Sequence, residues 1–312
     1  LAVSKYLYGF MVQEDRLWRE NGRQLLRAGV LMAIVGLSLL VSSCKSLIVT
    51  KDRSIPKLIT PLADASFQDL VKQLKPFADL QSLRARVGIV FQDTGLAERW
   101  PETDSNLVLM RPDRIRLIIN APIGKIKIAE MVSESSKFKV ALYKQSPSFL
   151  IGTNDADYSM WREKLGEKAN SGLVAARPFH FTEALTLNDS RFTYLMEEAL
   201  IEEPDPTPKA PKNARVLRSF YVVSEIELGV PGMGTGISRV TRRMWFDRTS
   251  ELKFVRQQLF DAKGALTTEV YYSDYKKLSE NSADLWPSVI LVSRPHDGYS
   301  ARLLFNETNY EV

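Results

Sequence analysis

Leu83-Arg84-Ala85-Arg86-Val87-Gly88-Ile89-Val90-Phe91 is the stretch that decides the fold. Leu83, Ala85, Val87, Ile89 and Phe91 fall on every second position, with Arg84, Arg86 and Gly88 between them. A period of two predicts a strand with one face in a core and the other in water. The alternation recurs downstream. Ile115, Leu117 and Ile119 alternate with Arg114, Arg116 and Ile118. Ile126 and Ile128 follow Lys125 and Lys127, and Phe138, Val140 and Leu142 alternate with Lys137, Lys139 and Ala141. Residues 106–110 and 149–152 add shorter apolar runs. Arg111-Pro112-Asp113, Ala121-Pro122-Ile123-Gly124 and Glu134-Ser135-Ser136 supply turns between them. The pattern is an antiparallel meander with one apolar and one basic-polar face.

Working upstream, Ser66 is placed to cap a helix, with Asp69 at its third position. Phe67, Leu70, Val71 and Leu74 share one face of that helix, and Pro76 limits its far end. Residues 45–65, with Pro56 and Pro61, read as a tether. Downstream, 155–173 is polar with Tyr158, Met160 and Trp161 embedded. Residues 178–201 predict helix, with Phe181, Leu185, Phe192, Leu195, Met196 and Leu200 as apolar positions and Asn188-Asp189-Ser190 dividing it in two. Residues 202–213 hold Pro204, Pro206, Pro208 and Pro211, an exposed loop or long hairpin tip. Six extended segments follow, at 216–228, 237–247, 251–260, 266–275, 285–293 and 300–310. Asp261-Ala262-Lys263-Gly264 suits a tight hairpin with glycine in the left-handed position. So long an antiparallel series needs closure or a cover, and the two helical segments are the available covers.

The lone cysteine, Cys44, ends a second informative stretch. Arg16, Arg19, Arg23 and Arg27 precede an apolar run at 28–41, which closes on Ser42-Ser43-Cys44. The run is about 14 residues, short of the roughly 20 that span a bilayer, and Arg27 and Lys45 block its extension. A basic region, a short apolar region and small residues at the cut read as a secretory signal. With cysteine directly after them, the segment resembles the lipobox of bacterial lipoproteins. That resemblance implies removal of residues 1–43, lipidation of Cys44 and a tether over 44–65. In the lipoprotein sorting systems that the segment resembles, an aspartate after the cysteine favours the inner membrane, so the resemblance implies that Lys45 permits the outer membrane. Met11 is a candidate start for the leader. The leader carries five Lys/Arg and three Asp/Glu, so the net charge falls from +5 to about +3 on its removal. Such a surface implies no nucleic-acid partner.

Several phrases together resemble the LolA/LolB-like outer-membrane lipoprotein-sorting family. In the first half these are Leu83-Arg84-Ala85-Arg86-Val87 and Met110-Arg111-Pro112-Asp113-Arg114-Ile115-Arg116-Leu117. Arg177-Pro178-Phe179-His180 with Ala184-Leu185 resembles the start of the family's lid helices. In the second half they are Trp245-Phe246-Asp247-Arg248, Phe260-Asp261-Ala262-Lys263-Gly264 and Tyr272-Ser273-Asp274-Tyr275. The resemblance implies a mainly β (α+β) fold over 66–312, an unclosed antiparallel barrel with a helical lid over a hydrophobic cavity. It also implies a periplasm-facing, lipid-anchored protein of the outer membrane that takes lipid or acylated lipoprotein cargo, with a periplasmic carrier protein as partner.

On this reading the candidate cavity lining is Val87, Ile89, Phe91, Ile115, Leu117, Ile119, Phe138, Val140 and Leu142. The candidate lid residues are Phe181, Leu185, Phe192, Leu195 and Met196. No enzyme, cofactor or metal chemistry is expected. His180 and His296 are the two histidines, and neither has metal-ligand spacing to another His or Cys. Gly232-Met233-Gly234-Thr235-Gly236 lacks a following helix and reads as a hairpin loop rather than a phosphate loop. Trp245, Phe254, Tyr271, Tyr272 and Tyr275 are expected to pack the barrel. Arg84, Arg86, Arg114 and Arg116 are expected on a solvated face. A structural or assembly lipoprotein with a barrel filled by its own side chains is the alternative.

Overall fold

The computed structural model describes residues 55–94, 98–124, 126–143, 148–154, 156, 176–187, 193–229, 238–278 and 284–311. The leader, Cys44, Phe192, the Asn188-Asp189-Ser190 break and the glycine cluster at 232–236 lie outside them. Pro56–Val312 form one compact unit.

The first half is the expected meander: β2 (Ser82–Asp93), β4 (Thr103–Met110), β5 (Arg114–Asn120), β6 (Lys127–Glu134), β7 (Lys137–Leu142) and β8 (Ser148–Thr153), with a short β3 (Glu98–Arg99) beside β2. The second half is a longer one: β9 (Thr193–Pro204), β10 (Arg215–Leu228), β11 (Ser238–Asp247), β12 (Lys253–Phe260), β13 (Leu266–Lys277), β14 (Leu285–Arg294) and β15 (Tyr299–Glu311). The last strand pairs antiparallel with β2, so the halves join into one sheet. That sheet does not close into a barrel; β8 and β9 are its ends.

Alternation in the first half sets the inner face as the sequence predicts. Val87, Ile89, Phe91, Ile115, Leu117, Ile119, Phe138, Val140 and Leu142 are all buried, while Arg84, Arg86, Arg114 and Arg116 are exposed. The outward arginines bond across strands: Arg86 to Asp104 at 2.9 Å, Arg114 to Glu134 at 3.1 Å and Arg116 to Glu130 at 2.6 Å. In the second half, Phe254 and Tyr272 pack inward. Trp245 and Tyr271 instead flank Arg256, at 4.9 and 5.3 Å from its guanidinium. Gly264 has φ +80°, the left-handed position its hairpin needs.

Two of the described helices lie against the inner face. The first, α1 (Phe67–Ala78), starts on a complete capping box. Asp69 N–H donates to Ser66 Oγ at 3.3 Å, and Ser66 N–H to the Asp69 carboxylate at 3.1 Å. Pro76 falls in its last turn, and the helix ends two residues later. Phe77 projects into an aromatic cluster with Trp286 (4.7 Å between ring centres), Tyr272 (5.2 Å) and Phe254 (5.4 Å). The second, α2 (Pro178–Leu185), has proline at its first position, where no backbone donor is lost. It lies against β5, β6 and β14, with Phe181 and Leu185 fully buried.

The helix expected over 178–201 is corrected in its second part. Leu195, Met196 and Leu200 belong to strand β9, which pairs with β10 along Arg215–Ile226. Leu-Met-Glu-Glu-Ala-Leu favours helix locally, but twelve residues of strand pairing override a preference of a few tenths of a kcal/mol each. Cross-strand ion pairs reinforce the choice, Glu202 with Arg215 and Glu203 with Arg218. The Pro-rich stretch forms the end of β9 and the tip of this long hairpin.

The end of the expected tether is part of the fold. Lys57–Leu58 form β1, parallel to β10 at Val216–Leu217, and Ile59 N–H donates to Leu217 O at 2.9 Å. Arg248, nearly buried, then clamps the strap. Its guanidinium donates to Ala63 O (3.1 Å), Asp64 (2.7 Å) and Glu198 of β9 (2.8 Å), and sits 4.5 Å from the Tyr221 ring.

Candidate functional site

The strap delivers the chain to Ser66, and α1 runs from there along a groove. Phe67, Leu70, Val71 and Leu74 form its helical wall, the face that the i, i+3, i+4, i+7 spacing assigns to burial. Opposite them are Val223 of β10 and Met244 and Phe246 of β11, with Tyr194 of β9 at the rim. The Phe67 and Tyr194 rings lie 5.5 Å apart. The groove, open on one side, holds about 460 Å³. Only Leu70 of the helical wall is fully covered; Val71 keeps 41% of its surface exposed.

Polar groups punctuate the apolar lining. Glu225 is buried and accepts from Thr241 Oγ1 at 3.2 Å. The Arg242 guanidinium stands 3.8 Å from the Glu225 carboxylate, a loose pair, and its buried Nε has no hydrogen-bond partner. At the far end Arg111 donates to three backbone carbonyls: Leu80 (2.6 Å), Phe77 (2.8 Å) and Leu187 (2.7 Å). It therefore ties the C-terminal end of α1 to the segment leaving α2. Burial among neutral acceptors lowers its pKa, partly offset by nearby Asp79.

The nine candidate lining residues are inward but do not line this groove. They belong to the core against which α2 packs; Phe91 meets Phe181 edge-on at 6.5 Å. Of the candidate lid residues, Phe181 and Leu185 are core residues of α2, while Leu195 is half exposed and Met196 half-buried on β9. The groove residues were partly readable. Met244 and Phe246 alternate with Trp245, and the α1 face is plain in sequence. Tyr194 was hidden by the helix reading, and Arg111 by its place in a turn.

A buried polar cluster anchors α2. His180 Nδ1 lies 2.5 Å from Tyr299 Oη, Tyr272 Oη donates to Ala184 O at 2.9 Å, and Gln257 donates to Glu183 O at 3.1 Å. Burial pushes the His180 pKa well down and that of Tyr299 up. It raises the Glu183 carboxyl to about 7, against the opposing pull of Arg294 and Arg242. These groups hold a helix to a sheet. Among the described residues no cluster of three or more His, Cys, Asp or Glu could hold a metal ion. No described helix is long and apolar enough to cross a membrane.

No family model matches the sequence, and no curated protein matches it. Among the solved structures to which the chain is similar are the following three. One is a DUF1329 family protein from Desulfovibrio piger, at 13% identity over 78% of this chain and 91% of that one, with a TM-score of 0.42. Another is an outer membrane lipoprotein-sorting protein domain from Vibrio parahaemolyticus, at 10% identity over 78% and 90%, with a TM-score of 0.40. A LolA superfamily protein from Nitrosomonas europaea is similar at 10% identity over 80% of this chain and 95% of that chain, with a TM-score of 0.39.

Proposed function

We propose that this chain is a membrane-anchored lipoprotein that holds an acyl chain, of a lipid or a lipoprotein, in the groove between α1 and β9–β11. Its setting is outer-membrane lipoprotein sorting or envelope biogenesis. The observation that carries the reading is the half-covered apolar face of α1 over about 460 Å³ of space. Small-ligand sites run from about 300 to 1,000 Å³ and are mostly apolar with a few placed polar groups. Each buried methylene contributes about 0.8 kcal/mol, so a long chain gains affinity without catalytic groups. Lipidated Cys44 would anchor the protein on the periplasmic side. A periplasmic carrier protein would deliver the cargo. On this reading the cover over the acyl chain is α1 rather than the helices expected over 178–201.

A structural lipoprotein with a filled barrel is the second reading, favoured by the complete burial of Phe181 and Leu185. Titration of residues 56–312 with a fluorescent fatty acid separates the two. Val71→Asp, at a half-exposed position of the groove wall, should weaken binding at least tenfold with little change in thermal melting. If the wild type takes up no probe, the structural reading replaces this one. If Val71→Asp binds as wild type does, the groove is not the site.

A further inference from the structure

Arg242 and Arg243 are consecutive on β11 and project to opposite faces of the sheet. Arg242 lines the apolar groove. Arg243 lines a second cleft of about 490 Å³, walled by Ser238, Arg239 and Val240 of β11 and by Phe260, Ala262 and Lys263 at the β12–β13 hairpin. The two cavities share no described lining residue.

Among the described residues, the charges of this cleft do not balance internally. Arg239 is matched by Glu227, with Nη2 to Oε2 at 2.5 Å. Asp261 faces into its own turn, accepting the N–H groups of Lys263 at 2.8 Å and Ala265 at 2.9 Å. Arg243 stacks over the Phe260 ring at 5.7 Å, and its buried Nε finds no acceptor. Lys263 is exposed at the rim. Two cations, one a planar fork and one a mobile point charge, thus converge on a walled cavity. An aromatic ring holds the fork in place. A guanidinium fork beside an ammonium suits an oxyanion with several acceptor oxygens and more than one negative charge.

We propose that this cleft binds a phosphate group, carried by a phospholipid head or free in solution. The site lies apart from the acyl groove and stands or falls independently of that reading. Arg243 supplies the bidentate contact, Lys263 closes over the open side, and Arg239, held by Glu227, forms the wall between them.

The test uses the full chain in a neutral detergent, labelled with nitrogen-15. The Arg243 Nε resonance is assigned by its disappearance in Arg243→Lys. It is followed during titration with inorganic phosphate and, separately, with dihexanoyl phosphatidylglycerol; dihexanoyl phosphatidylcholine and chloride serve as controls. A saturable shift of the Nε resonance is expected at millimolar ligand or below. Lys263→Gln, at an exposed position that leaves folding intact, should weaken saturation at least fivefold, and Arg215→Gln, on β10 at Glu202, should not change it. Saturation by phosphate with or without the lipid assigns a site for the bare group. Saturation by phosphatidylglycerol alone assigns a lipid-head site. Failure of both ligands to saturate the shift overturns the proposal, as does saturation that Lys263→Gln leaves unchanged.

Discussion

The two described helices lie on the same inner face of one sheet and are packed differently. On the α2 side, Pro178, Phe181, Ala184 and Leu185 are all buried, and His180 Nδ1, Ala184 O and Glu183 O find partners in Tyr299, Tyr272 and Gln257, while the Thr182 hydroxyl is buried without one. On the α1 side the helix divides along its length. Its last turn drives Phe77 into a cluster of three rings, while its first two turns leave Val71 and part of Phe67 and Leu74 over open space. Burial on one side and partial exposure on the other come from residues of the same apolar character. Apolar periodicity therefore tells which face of a helix turns inward, and not whether the space it meets is full.

The sharpest way to break this contrast is Phe77→Ala. Deleting a fully buried ring costs about 3–5 kcal/mol, because the surrounding rings relax only partly into the hole. Chemical denaturation should show that loss through a lower midpoint with an unchanged slope. A loss below about 1 kcal/mol would mean that the end of α1 is as loosely packed as its start, and the distinction between the two ends would go.

How far this contrast was legible from sequence depends on the residue. The inward set from Val87 to Leu142 could be read because period two leaves no other register for a half-buried strand. The capping box at Ser66 was equally local. What escaped reading depends on contacts distant in sequence. Arg111 bonds carbonyls 31, 34 and 76 positions away, so no window of sequence contains its role. The segment 193–201 carries helix-forming residues and becomes a strand because β10 pairs with it. The strap at Lys57–Leu58 is two residues long, too short for any period, and the sheet and Arg248 hold it. The groove joins the readable α1 face to such residues, and the predicted lining fell in the readable core.

A smaller effect tests the filled side through its charge. Glu183 on α2 has its carboxyl raised to about 7 from 4.5 by burial. The fold therefore favours the protonated form, and the unfolded chain ionises first. Stability should be fullest below about pH 4.5 as far as this group is concerned, and should fall as pH rises through 7. Glu183 keeps 26% of its side chain exposed and has Arg294 at 3.9 Å, so we expect a loss of roughly 2 kcal/mol rather than the full conversion of the shift. His180 acts in the opposite direction: its lowered pKa costs stability as pH falls below about 6.5. Urea melts of Glu183→Gln and wild type at pH 5 and pH 8 separate the two groups. The variant should lose the alkaline decline and keep the acid one. Parallel declines in both proteins would place Glu183 in a wetter setting than the packing of α2 implies.

The smallest effect concerns the open side and completes the contrast. Val71→Ala removes two methyl groups from a side chain 41% exposed, so folding should lose under about 1 kcal/mol. Those methyls face the groove, where a bound acyl chain would cover them. The free protein therefore gains little from them and the complex gains more. The variant should melt within a few degrees of wild type and yet hold a fluorescent fatty acid several-fold more weakly. Ile115→Val, a methylene lost from the buried core beneath α2, should show the reverse: a loss of about 0.5–1.5 kcal/mol in folding with affinity unchanged. Measuring both quantities for both variants gives four numbers whose pattern matters more than any one of them. If Val71→Ala and Ile115→Val shift stability and affinity in the same proportion, the two sides form one cooperative core, and the groove is a packing fault rather than a place for a ligand.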